Sequence, residues 1–128
     1  MTDLTDKTFD HWRKTKFQYG VEDCLLSIAD HAVRFGHRDA GVMFRGNYDT
    51  KEQAEKIVKD FGGFEKMISL IGLSETDEPK RGDIVLVRTA FGFVGGVHSG
   101  HGVSVRMPHG VIDFICRMVR IEKAWSIK

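Results

Sequence analysis

The chain has 128 residues, a length that fits one domain built on one core. Hydrophobic residues make up 41% and charged residues 29%, the composition of a globular protein and not of a disordered one. Nineteen basic and 18 acidic side chains leave a formal charge of +1, so nothing directs the chain to nucleic acid, and no apolar run approaches the ~18 residues of a membrane span.

The first residues, Met1 to Asp10, are polar and acidic and carry no apolar h-region, so no secretory signal is expected. Phe9 to Lys16 reads as a short helix with Phe9 and Trp12 on one face. Glu22 and Asp23 then place acidic side chains where a helix start favours them. Leu25, Ile28, Ala29, Ala32 and Val33 recur at helical spacing until Gly36 stops the run. His37 to Asp49 reads as a loop with one short helical turn. Thr50 and Gln53 have the form of a capping box and open a helix carrying Ala54, Ile57, Val58 and Phe61. Gly62-Gly63 ends it, and Phe64, Met67, Ile68 and Ile71 make a further short amphipathic helix. Ser74 to Arg81, with Pro79, reads as a linker.

Beyond Gly82-Asp83 the period changes. Ile84 to Val87 is an apolar strand, whereas the glycine-rich Phe91 to Gly100 reads as a loop or irregular hairpin. His101 to Val105 and Val111 to Ile115 form a hairpin about Met107 to Gly110, and Val119 to Trp125 adds a last strand. Helices over about 1–73 and strands over about 82–128 predict an α+β fold, with N-terminal helices packed on a small C-terminal antiparallel β-sheet. Arg117, Arg120 and Lys123 read as a solvated face, and Cys116 as plain core.

Cys24 is the residue most suited to chemistry. In the first turn of a helix, exposed N–H groups and the positive end of the dipole favour a thiolate. A thiolate also needs an imidazole partner held by a third polar group. Of the six histidines, His31 lies too far along the same helix to serve the thiol and reads as a partly buried or surface side chain. His101 would begin a strand, and Asp113 would lie on the next strand of the hairpin, so Cys24, His101 and Asp113 form the candidate catalytic set. His98 and His101 alone fall short of the three or four ligands of a zinc site, and the glycines from Gly92 to Gly102 precede no Gly-Lys-Ser/Thr. No metal and no cofactor are expected.

Tyr19-Gly20-Val21-Glu22-Asp23-Cys24 before an apolar helix resembles the nucleophile segment of NlpC/P60 cysteine peptidases. Lys80-Arg81-Gly82-Asp83-Ile84-Val85 resembles their Pro-Gly-Asp strand, and His101-Gly102-Val103-Ser104-Val105 their histidine strand. The chain departs from them at Leu25 and Leu26, where the peptidases usually have Ser and Gly. A second alignment sets Phe93-Val94-Gly95-Gly96 on the histidine strand, with Phe93 in the position of the base. Gly20 to Cys24, Arg45-Gly46-Asn47-Tyr48-Asp49-Thr50, Gly62-Gly63, Gly82-Asp83 and Ala124-Trp125 resemble, in order, a family of small phage-related proteins, DUF6950.

These resemblances imply a papain-like, NlpC/P60-type fold and a phage- or prophage-derived cysteine hydrolase acting on peptide or amide bonds of the bacterial cell wall. Cys24 would be the nucleophile, His101 the acid–base and Asp113 its orienter. Its partner would be a peptidoglycan peptide or another amide substrate. The alternative is a catalytically inactive phage structural or tail-assembly protein whose partners are other phage proteins. Either would be cytoplasmic in a bacterial host or associated with the virion.

Overall fold

A computed structural model describes residues 3–90, 92–115 and 118–128. Helices α1 (Leu4–Lys14), α2 (Cys24–Arg34), α3 (Lys51–Phe61) and α4 (Phe64–Ser69) come first. Strands β1 (Ile84–Thr89), β2 (Gly92–His98), β3 (Gly102–Met107), β4 (Gly110–Ile115) and β5 (Arg120–Trp125) follow. The α+β order expected from the sequence is therefore observed. Cys116 and Arg117 lie outside the described residues.

The helix starts are set by side-chain caps that satisfy otherwise orphaned N–H groups. Asp3 accepts from Asp6 N–H, which begins α1 five residues before the expected Phe9. Asp23 accepts from the N–H groups of Leu25 and Leu26 at the start of α2. Thr50 accepts from Gln53 N–H at 3.2 Å, while Gln53 Oε1 accepts from Asp49 N–H at 2.9 Å, the reciprocal pattern of a capping box moved out by one residue.

The strands form one sheet in the order β4-β3-β2-β1-β5, and every pairing is antiparallel. Helices lie against one face, where Ile28 of α2 and Ile68 of α4 meet Ile84, Leu86 and Val97. The opposite face holds a second cluster of Val85, Val87, Val103 and Val105, all at most 1% exposed. No helix residue belongs to that cluster among the described residues; Phe114 of β4 and Ile121 of β5 pack on it instead. Burial on both faces explains why β1 reads as a continuous apolar run and not as an alternating one.

Two expectations are corrected. Residues 92–98, read as a loop or irregular hairpin, are the regular strand β2 at the centre of the sheet. Its glycines are packing devices: a Cβ on Gly95 would sit 3.3 Å from Ile28, and one on Gly96 would sit 2.7 Å from Val103. The stretch 74–76 is more than a linker. Thr76 N–H donates to Ala124 O at 3.0 Å and Ser126 N–H to Ser74 O at 2.8 Å, which pairs it with the end of β5.

His31, read as partly exposed, is fully buried. Its Nε2 donates to Gly82 O and its Nδ1 accepts from the Thr8 hydroxyl, both at 2.7 Å, so the neutral Nε2–H tautomer fits the site. Burial lowers its pKa to about 4, against an ordinary value of 6.5. Between these values the unfolded chain binds the additional proton, so stability rises with pH across that window and is lost as pH falls from 6.5 through 4. The full effect is about 3 kcal/mol. The urea midpoint is expected to fall across this window and the fall to be smaller in His31→Gln; an equal fall in both proteins would contradict the assignment.

Among the described residues, no helix is long and apolar enough to cross a membrane.

Candidate functional site

The start of α2 is organised around Asp23, which is 1% exposed. One carboxylate oxygen accepts from Leu25 N–H at 3.0 Å and Leu26 N–H at 2.8 Å. The other accepts from Gly20 N–H at 2.9 Å and from the Tyr48 hydroxyl. A buried carboxylate is tolerable because it is fully hydrogen-bonded. These contacts join the two most distinctive strings of the sequence, Gly20 to Cys24 and Arg45 to Thr50. Gly46 N–H also donates to Gly20 O at 2.9 Å, and Arg45 clamps Asp30 at 2.5 Å and Asp39 at 3.0 Å.

Cys24 is the first residue of α2 and keeps part of its surface accessible. Backbone N–H groups at the helix start favour the thiolate, yet they are outweighed. Burial first, and the Asp23 carboxylate second, push the thiol up to about 12. Tyr48 is shifted upward as well, by burial and then by its bond to Asp23. Both shifts favour the protonated forms, a thiol and a phenol. Leu25 and Leu26 are buried side chains that pack with Phe44, Tyr48 and Met67.

His101 and Asp113 do not converge on Cys24. His101 is exposed in the turn between β2 and β3, beside Ser99, whose carbonyl accepts from Arg81. That turn lies toward the far end of α2. His31, about 10 Å along the helix from Cys24, already reaches Gly82, and Gly82 N–H donates to His98 O. Asp113 pairs with Ser104 across β3 and β4, and the Ser104 hydroxyl donates to it at 2.5 Å. Because successive residues of a strand face opposite sides, this register puts Asp113 on the side of Ser104 and not on that of Val103 and Val105.

A second cluster at the same end of the molecule was not foreseen. Arg106 of β3 is 3% exposed and aims its guanidinium at the junction of α1 and α2. It donates to Glu22 at 2.5 Å, to the Ser27 hydroxyl at 3.2 Å, and to the Thr15 carbonyl and hydroxyl at 3.0 and 2.8 Å. His11 Nε2 donates to both oxygens of Glu22, at 2.9 and 3.0 Å. Burial raises the Glu22 carboxyl, but the bonds from His11 and Arg106 prevail and its pKa is lowered. The available signal was an arginine alternating with Ser104 on an otherwise apolar strand; its partners lie some 80 to 90 residues away in sequence.

His98, the other histidine of the metal reading, is buried, with Nδ1 accepting from Gly100 N–H at 3.0 Å. Among the described residues, no three His, Cys, Asp or Glu side chains are placed to hold a metal ion.

Fold and site together define an α+β domain in which a buried aspartate fixes a cysteine at a helix start against a tyrosine-bearing loop. The chain belongs to the family of the domain of unknown function DUF6950, whose profile matches residues 2–127. No curated protein and no solved structure matches it. The comparisons thus carry the DUF6950 membership expected from the sequence and not the NlpC/P60 one.

Proposed function

We propose that the chain is a catalytically inactive relative of NlpC/P60-type, papain-like proteins, serving as a phage- or prophage-derived structural or tail-assembly component. The carrying observation is the surroundings of Cys24: His101 is an exposed turn residue and Asp113 bonds Ser104, while burial and the Asp23 carboxylate push the thiol up to about 12. Cysteine hydrolases need the opposite, a thiolate held by an imidazolium. The alignment with Phe93 in the base position supports the same reading. β2 follows the Gly82-Asp83 strand directly and runs beneath α2, where Ile28 would meet a Cβ on Gly95, and Phe93 is its second residue. Phenylalanine can neither take nor give a proton. The phage context rests on the resemblance carried by the Arg45 to Thr50 string, a weaker warrant than chemistry. Virion association, or the host cytoplasm during assembly, follows from the same reading.

Release of amines from purified peptidoglycan fragments tests it. Wild-type protein and a folded Cys24→Ala variant are expected to give the same background. Turnover by the wild type that disappears in Cys24→Ala would overturn the proposal in favour of a cell-wall cysteine hydrolase.

A further inference from the structure

A groove of about 950 Å³ lies between the α3–α4 corner and β5. Leu86 and Phe93 contribute apolar surface, and Phe93 is 48% exposed. Its charged lining is one-sided: Glu65, Glu75, Asp77 and Glu122 stand against Lys123 alone. Lys123 bonds Glu65 at 2.5 Å and Glu75 at 2.9 Å, and neighbouring Arg120 bonds Glu122 at 3.0 Å. Arg88 lies with its guanidinium 5.8 Å from the Phe93 ring centroid, so four carboxylates against three cations leave one negative charge in excess, on a chain whose overall charge is +1. The groove also follows a sheet edge. The 74–76 segment pairs with β5 only around Trp125, and among the described residues Arg120 to Lys123 have no strand on their outer side.

We propose that this groove docks an extended cationic segment of a partner protein, its backbone running along β5 where the 74–76 pairing ends. Lysine or arginine side chains on the face toward α4 would answer the carboxylates, and the intervening residues would face the other way. Charge complementarity selects the occupant, because an acidic segment or a nucleic acid would meet net repulsion. Strand addition at an open edge supplies main-chain hydrogen bonds, and the groove supplies side-chain preference. The inference is independent of the state of the Cys24 thiol.

The probe is a fluorescein-labelled octapeptide of alternating lysine and valine, followed by anisotropy with the full chain, beside its glutamate–valine counterpart. The lysine peptide is expected to bind about tenfold or more tightly than the glutamate peptide, and raised salt should weaken it. Glu75→Lys/Asp77→Lys should cost about tenfold in affinity. Circular dichroism checks the fold, and if the double variant fails that check, Asp77→Lys at its exposed linker position should still cost about threefold. Equal binding of the two peptides, or unchanged affinity in the folded variant, would overturn the proposal. So would a concentration-dependent dimer that Asp77→Lys dissociates, since a second copy would then be the occupant.

Discussion

Arg106→Ala is expected to lose about 3–5 kcal/mol of stability, because it removes one partner of a buried ion pair and leaves the other groups behind. The guanidinium is almost wholly enclosed and supplies four hydrogen bonds that tie β3 to Thr15 at the end of α1, to Glu22 and to Ser27 of α2. Without it Glu22 keeps, among the described residues, His11 and the Thr15 hydroxyl, and the Thr15 carbonyl loses its guanidinium donor. Urea unfolding of Arg106→Ala, Arg106→Met and Arg106→Met/Glu22→Gln separates the contributions. The Arg106→Met/Glu22→Gln protein should regain part of what Arg106→Met loses, since no unpaired carboxylate then remains. A loss below about 1 kcal/mol in Arg106→Ala, the range of surface pairs, would show that the cluster is not closed to water.

Gly20→Ala is expected to be comparably damaging, at about 3 kcal/mol or more from steric overlap and backbone strain combined. An added Cβ would lie 2.0 Å from the Tyr48 carbonyl oxygen, and Gly20 has a φ of 84°. The clash is with backbone, so no rotamer change relieves it. Gly20 N–H is also one of the four donors to Asp23, so the substitution moves the carboxylate that caps α2 and adjoins Cys24. A lower thermal midpoint together with a changed Cys24 reactivity is the expected pair of results. A variant with wild-type stability would mean that the Gly20–Tyr48 approach is looser than the structure has it.

Local chemistry was legible in the sequence, and tertiary chemistry was not. The Thr50–Gln53 pair announced α3, and the apolar spacing from Leu25 to Ala32 announced α2, because caps and periodicity act within a few residues. β2 was hidden because its glycines imitate loop composition, while their purpose, room for Ile28 and Val103, depends on other elements. His31 read as ordinary until Thr8 and Gly82 closed on it from 23 and 51 residues away. At the site, the sequence located Cys24 and its helix start. It did not reveal that Asp23 would be locked by Tyr48, nor that the imidazole beside this junction would be His11 bonded to Glu22. A motif names the residues at a helix start, but the charge of the thiol depends on what the fold brings against it.

The central claim is that Cys24 is held as a neutral thiol, and the pH dependence of its alkylation by iodoacetamide tests this most directly. Mass spectrometry of the Cys24 peptide reads this site apart from Cys116, in the wild type and in His101→Ala. The account predicts reaction slower than that of a free thiol from about pH 6 to 9, with the same profile in both proteins. Reaction with an apparent pKa well below the ~8.5 of free cysteine, abolished by His101→Ala, would contradict it and establish a Cys24–His101 pair.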